Sequence, residues 1–138
     1  MLKLSIAQII ETASNIESVE DRVQYLRNNE SEQLKYILEL ALVPGVKWDL
    51  PEGAPPYTPC ELVDLEGRLY AECRTLYLYL LGNAPNLNRV KREMLFIGLL
   101  ESIDPKDAAL LIQVKDKLLS STLSTKIVNL AFPGLINE

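Results

Sequence analysis

The sequence predicts an all-α protein that folds as one domain over residues 1–138. Apolar residues, above all leucine, make up 48% of the chain and charged residues 24%, a balance that is typical of globular proteins. Only nine residues are Phe, Trp or Tyr and runs of β-branched residues are few, which favours helices over strands. A chain of 138 residues is also long enough to bury a core without metals or disulfides.

Three serines, each followed by apolar residues at helical spacing, predict three helices before residue 44. Ser5, Ser18 and Ser31 are suited to accept a hydrogen bond from the first turn of the helix that follows. The third helix is expected to end at Pro44-Gly45. The predicted apolar faces consist of Ile6, Ile9 and Ile10, then Val19, Val23 and Leu26, then Leu34, Ile37, Leu38, Leu40, Ala41 and Leu42.

A proline-rich segment follows at residues 44–59, which hold five of the eight prolines and two of the glycines. Because proline fixes φ and lacks a backbone N–H, this segment is predicted to cross the surface in an extended form, held by Trp48 and Tyr57. Loops of this length are uncommon in compact domains, and the segment is therefore either functional or a solvated excursion.

Four further helices are predicted in the second half. The helical period resumes at Cys60 and continues to Gly82-Asn83, with Leu69, Cys73, Leu76 and Leu80 on one face. The next helix places Leu87, Val90, Met94 and Ile97 on one stripe. Asp104 and Pro105 begin the helix after it, and the last helix begins among Ser120–Ser124 and ends before Pro133-Gly134. We expect the following side chains to be buried: Leu110, Leu111, Val114, Leu118 and Ile127.

The residue inventory excludes the common catalytic chemistries. The chain has no histidine, two cysteines, no glycine-rich phosphate loop and no paired carboxylates in an apolar setting. We therefore expect no enzymatic activity, no cofactor, no metal site and no small-molecule substrate. The N-terminus is unlike a signal peptide, and no apolar run approaches the roughly 18 residues of a membrane span. These features predict a cytoplasmic protein, in the host cytoplasm if it is viral, without a membrane partner.

The last fifty residues carry a recognisable pattern. Its members are Asp107, Leu110, Lys117, Leu118, Ser121, Ser124, Ile127, Asn129 and Phe132-Pro133. The pattern resembles the end of the N-terminal DNA-binding domain of ATP-dependent DNA ligases, especially those of T-even-like phages. In that family a small helical domain precedes the nucleotidyltransferase domain. The earlier helices and the proline-rich segment occur in the same order, so the resemblance spans most of the chain and implies a small phage-type protein.

The sequence departs from the ligase pattern at several positions. Thr122 and Leu123 replace a small residue and a glycine, and Leu130 replaces a lysine. Ligases adenylate the lysine of a Lys-x-Asp-Gly motif, whereas residues 47–50 read KWDL and no nucleotide-binding strands surround them. We expect no catalytic domain to accompany this helical one. We therefore expect a free-standing relative of the DNA-gripping module that does not ligate.

Charge is distributed unevenly along the chain. Residues 1–82 contain seven Lys/Arg against thirteen Asp/Glu, whereas residues 83–138 contain seven against six. Together with the resemblance, this predicts a sequence-independent accessory for duplex DNA in nucleic-acid metabolism. Basic side chains, helix N-termini and hydroxyl groups would contact the phosphates. The predicted site, expected on one side of the molecule, consists of Arg89, Lys91, Arg92, Lys117, Ser121, Thr122, Ser124, Thr125, Lys126 and Asn129.

The net charge of −5 supports an alternative function, because an acidic protein repels the phosphate backbone. Under this hypothesis the chain is an acidic helical protein–protein interaction module, an accessory or inhibitor of a host or phage enzyme. The hydroxyl residues before the last helix would then be helix caps, and the basic residues a solvated face. A DNA-like acidic surface on the first half is a variant of the same hypothesis.

Overall fold

The computed structural model describes residues 4–60, 67–119 and 123–136, and these ranges form one small all-α domain. The α-helices are α1 (Ile6–Ser14), α2 (Val19–Asn28), α3 (Glu32–Leu42), α4 (Arg68–Glu72), α5 (Arg89–Ser102), α6 (Pro105–Lys115) and α7 (Thr125–Ala131), and a 3₁₀ helix spans Cys73–Tyr79. An isolated antiparallel bridge joins Trp48 to Leu80, and the described ranges contain no strand. The prediction of about seven helices without a sheet is confirmed.

The predicted helix starts are formed by the residues expected to cap them. Ser5 Oγ accepts from the Gln8 N–H at 3.1 Å, and the Gln8 side chain accepts from the Ser5 N–H at 3.1 Å, which completes a capping box. Ser31 accepts from the Leu34 N–H at 3.0 Å. Asp104 caps α6 with Pro105 in its first turn. Each cap satisfies a backbone donor that has no partner within its helix.

Helix α6 lies at the centre of the domain and packs against α1, α3 and α5, while α2 packs against α1 and α7. Leu111 and Val114 on α6 are completely buried, and Leu110 and Ile127 are nearly so. Cys73 is also a core residue. These five burial predictions are confirmed, and they follow from apolar residues that repeat at helical spacing.

Leu118 was expected in the core and is instead 67% exposed. The reason is that α6 ends at Lys115, one turn earlier than the apolar pattern suggests. The Leu118 N–H bonds to Gln113 O at 2.8 Å and the Lys117 N–H to Val114 O at 3.2 Å, the hydrogen bonds of a Schellman C-cap. Lys117 occupies the left-handed position of this cap, with φ 59°, and the turn directs Leu118 away from the apolar face.

The apolar stripe predicted on α5 is also not the buried one. Val90 and Met94 are 66% and 64% exposed. The face that packs on the core carries Arg92, Phe96, Leu99 and Leu100 instead. On α2, Val19 likewise lies in solvent. On α5 the direction of the core was therefore wrongly inferred from the spacing of apolar residues alone, whereas on α2 Leu26 is buried and Val23 packs against the core, as predicted.

The proline-rich segment, predicted to be extended, contains no helix and no strand beyond the bridge at Trp48, with a turn at residues 44–45 and bends at residues 49–50 and 52–53. Trp48 anchors its start. The Asp49 N–H donates to Tyr79 O at 2.7 Å, and the Leu81 N–H donates to Lys47 O at 2.9 Å. Trp48 packs edge to face on Phe96, with ring centroids 6.4 Å apart. The predicted helix from Cys60 to Gly82 is present as α4 and the 3₁₀ helix, and residues 61–66 lie outside the described ranges. In the part of the chain that is described, every helix is too short or too polar to cross a lipid bilayer.

Candidate binding surface

Arg92, predicted to face a DNA duplex, is buried with only 6% of its surface exposed. Its guanidinium forms an ion pair with Asp49 at 3.0 Å and donates to three backbone carbonyls. The acceptors are Leu78 O at 3.1 Å, Ala84 O at 3.0 Å and Leu87 O at 2.9 Å. The expectation that Arg92 faces outward is therefore wrong, because its donors connect α5 to the end of the 3₁₀ helix and the loop that follows.

Lys117 and Asn129, two further predicted contacts, also form internal bonds. Lys117 Nζ donates to Leu40 O in the last turn of α3 at 2.6 Å, and partial burial lowers the pKa of this amine. The Asn129 amide donates to Ile136 O at 3.0 Å and accepts from the Ile136 N–H at 2.9 Å. These side chains hold the ends of α3 and α7 in place.

Other cations outside the predicted site bind carbonyls in the same way. Arg27 donates to Ala131 O at 3.1 Å and to Leu130 O at 2.7 Å. These carbonyls lie at the end of α7 and have no partner within the helix. Arg22 donates to Ile16 O after α1. Conversely, Asp107 Oδ1 accepts from the Ala7 N–H at the start of α1, at 2.9 Å. Charged residues at these helix ends complement both the unpaired backbone groups and the helix dipole.

The predicted site residues that remain on the surface are fewer. Arg89 is 79% exposed along its side chain and pairs with Glu93 at 3.3 Å, and Lys91 and Lys126 are exposed. Ser124 caps α7 by accepting from the Ile127 N–H at 3.4 Å, and Thr125 is half-buried. Ser121 and Thr122 lie outside the described residues. Helix α5 packs on α6 and the 3₁₀ helix, whereas α7 packs on α2.

A groove of about 430 Å³ lies between α5 and the proline-rich segment. Its lining residues are 50–56, Glu93, Phe96, Ile97 and Lys115. Lys115 Nζ fixes one wall by donating to Pro51 O at 2.8 Å and Gly53 O at 3.0 Å. Further along the wall, the Thr58 N–H donates to Glu101 at 2.8 Å. Hydrogen bonds within the chain therefore hold the proline-rich segment beside α5, and the groove exists before any partner binds.

The face of α5 that borders this groove continues beyond it into solvent. At 100° per residue, Val90, Glu93, Met94, Ile97 and Glu101 fall within about 100° of arc, and we call this set the outer face of α5. The proline-rich segment covers its C-terminal half, whereas Val90 and Met94 stay exposed. The sequence already indicated this surface, because Val90, Met94 and Ile97 belong to the apolar stripe predicted for this helix.

A second depression, between α3 and α4, contains titratable groups that are held neutral. Burial raises the pKa of Cys73 to about 12, with a smaller contribution from Asp107. Burial also raises the pKa of Tyr36 and Tyr70, which line the same depression. A thiol in this state is a poor nucleophile. Within the described ranges, no group of three or more Cys, Asp or Glu residues is arranged to hold a metal ion.

Comparison with known proteins gives a family but no activity. No curated protein matches the chain. A family model matches residues 9–121, a range that includes most of α1, the whole of α2 to α6 and the proline-rich segment. Both walls of the groove and the outer face of α5 lie within it. Since this range is well over half of the sequence, the chain belongs to the family of unknown function DUF6433.

Proposed function

We propose that the protein is a non-catalytic module that binds another protein through the outer face of α5 and the adjoining groove. The observation that carries the proposal is the exposure of Val90 and Met94 on a helix whose opposite face is buried. Isolated apolar residues on a surface need no explanation, but a row that continues into a preformed groove is typical of binding sites.

The exposed apolar residues of this face would supply part of the free energy of a specific contact. Full burial of a Val or Met side chain contributes about 1.5–3 kcal/mol. Val90 and Met94 are each about two thirds exposed, so roughly two thirds of that burial energy would be gained only when a partner covers them. Together they offer about 2–4 kcal/mol, which corresponds to a factor of about 30 to 1,000 in affinity. Ile97 and the groove floor would add to this figure.

Site-specific photocrosslinking tests the proposal. A benzophenone amino acid at Met94 should form a protein adduct in cells of the natural source. The same group at Glu20, an exposed position on α2, is the control. A discrete adduct from position 94 that resists nuclease and is absent from position 20 supports the proposal. Equal adducts from both positions, or none from position 94, would overturn it.

Binding to duplex DNA is the second candidate function, and a different observation favours it. Lys91 and Lys126 are exposed and have no acidic partner among the described residues. Arg89 is paired only at the surface, where such pairs are weak. With the ligase resemblance, these residues support sequence-indifferent contact with phosphates.

Fluorescence anisotropy with a nicked duplex tests the second candidate. If it holds, contacts from Arg89, Lys91 and Lys126 to three phosphates give a log–log salt slope of about −2.7, so affinity falls by a factor of about 40 between 50 and 200 mM salt. Replacing Lys91 and Lys126 with alanine should then flatten the log–log slope by about two units. Absence of any salt-dependent binding would eliminate this candidate.

A further inference from the structure

We infer that the partner of the outer face of α5 is an amphipathic helix whose apolar stripe is flanked by lysine or arginine. The inference rests on the proposed function and adds the chemistry of the partner. It depends on three features of the surface: the hydrogen-bonding state of its backbone, the shape of the groove and the charges at its edge.

Because the backbone groups of α5 are already hydrogen-bonded, the partner is expected to bind as a helix rather than as an extended peptide. An extended peptide is usually bound by adding a strand to a sheet edge, which supplies unpaired backbone groups. No strand exists in the described ranges, and the interior backbone groups of α5 bond within the helix. Recognition must then use side chains. The apolar row formed by exposed Val90 and Met94 and half-buried Ile97 spans about two turns, or roughly 10 Å. A partner helix matches this spacing with residues at i, i+3/i+4 and i+7.

The groove provides a fixed position for one large apolar side chain of that helix. Phe96 and Ile97 line the side of the groove formed by α5, and Trp48 packs against Phe96. The opposite wall is held by Lys115 through its bonds to the carbonyls of residues 51 and 53. Because these walls are already ordered, an incoming side chain does not have to organise them, and less entropy is lost on binding.

The charges that line the groove are acidic, whereas Lys91 is exposed beside Val90 at the other end of the surface. Glu52 and Glu93 line the groove, and Glu101 lies one turn beyond Ile97 on the same face. Lys115 adds little positive charge to the surface, because only 2% of its side chain is exposed and Asp116 lies 2.5 Å away. Arg89 offsets part of the Glu93 charge. The remaining acidic charge, on a chain of net −5, attracts basic residues beside the partner's apolar stripe. A second copy of the chain would bring the same acidic charge.

Titration with three synthetic helical peptides of about 18 residues tests this chemistry. The first carries a Leu/Ile stripe flanked by lysines, the second the same stripe flanked by glutamates, and the third the lysines with the stripe scrambled. Binding is read from the fluorescence of Trp48, the only tryptophan in the chain, and from calorimetry. We expect the first peptide to bind at least about tenfold more tightly than either other peptide, the ratio that about 1.4 kcal/mol produces.

Two protein variants and one control localise the contact. Glu52→Lys/Glu93→Lys should reverse the preference between the lysine and glutamate peptides, and Val90→Ser/Met94→Ser should weaken binding of the first peptide. Val19→Ser removes an exposed apolar residue from α2 and should have no effect. Equal binding of the three peptides, no binding of the first, or insensitivity to the charge reversal would overturn the inference. If the adduct at position 94 persists in any of those cases, the binding surface stands and only the partner chemistry is wrong.

Discussion

Substitution of Arg92 distinguishes a structural cation from a DNA contact. In Arg92→Ala, the Asp49 carboxylate loses its partner, and three carbonyls lose donors at 2.9–3.1 Å. The acceptors lie at the end of the 3₁₀ helix and in the loop before α5. The substitution therefore removes the hydrogen bonds that join α5 to both of these segments. A phosphate contact on the surface would have no such effect.

The expected cost follows from these bonds. Removing one member of a buried ion pair costs about 3–5 kcal/mol, and hydrogen bonds from charged donors contribute about 1.5–3 kcal/mol each. Water can reach some of the released groups, because Asp49 is 40% exposed along its side chain. We therefore expect Arg92→Ala to lower the free energy of unfolding by about 3 kcal/mol. Arg92→Lys should recover only part of this loss, since an ammonium group cannot reproduce the planar set of donors.

Urea unfolding, followed by circular dichroism and Trp48 fluorescence, measures the effect. Arg89→Ala is the matched control, one turn earlier on the same helix, with an exposed ion pair whose loss should cost at most about 1 kcal/mol. If Arg92→Ala costs no more than Arg89→Ala, the assignment of Arg92 to the fold is refuted. A stable Arg92→Ala variant with weakened duplex binding would instead support the original DNA-contact prediction.

Three further predictions concern buried groups and the cap of α6. Burial raises the pKa of Cys73 to about 12, so Cys73 should react with a thiol reagent at pH 8 far more slowly than Cys60. If Cys73→Ser abolishes the fast phase of the reaction, Cys73 is the reactive thiol and the prediction is wrong. Burial also raises the pKa of Tyr79 from 10.0 to about 12, so its contribution to stability is present below pH 10 and is lost as pH rises toward 12. Tyr79→Phe should reduce the alkaline slope of the unfolding free energy by up to about 1.4 kcal/mol per pH unit, and equal slopes would count against it. Lys117→Gly should be more stable to urea than Lys117→Ala by about 1 kcal/mol, because the position requires a positive φ; a more stable alanine variant would exclude the left-handed cap.

The fold was largely predictable because its determinants are local. The caps at Ser5, Ser31 and Asp104 and the apolar spacing in α1, α3 and α6 each act within one or two turns. Leu118 was wrongly placed because a lysine took the left-handed position that glycine usually occupies, so the end of α6 had no sequence signal. The sequence of α5 shows which residues share a face, but not which face meets the core.

The candidate site was less predictable because the roles of its cations depend on contacts distant in sequence. Lys117 bonds to Leu40, and Arg27, which sequence reasoning did not single out, bonds to residues 130 and 131. Nothing near these residues in the chain separates a lysine or arginine that binds a carbonyl from one that binds a phosphate. Both tasks need a long cationic donor, and only the tertiary structure decides which is performed.

The stability of Val90→Ser/Met94→Ser tests most directly the claim that the outer face of α5 is a binding surface and not part of the core. Both residues are about two thirds exposed, so only about a third of the burial energy of each side chain is present in the fold, and we expect the double substitution to lower the free energy of unfolding in urea by about 1–2 kcal/mol at most. A benzophenone amino acid at the neighbouring position 91 should give the protein adduct in the otherwise unmodified chain. The same group in Val90→Ser/Met94→Ser should give none. A destabilisation of about 4 kcal/mol or more, as two large-to-small substitutions in a core produce at about 2–5 kcal/mol each, would contradict the assignment of this face to the surface.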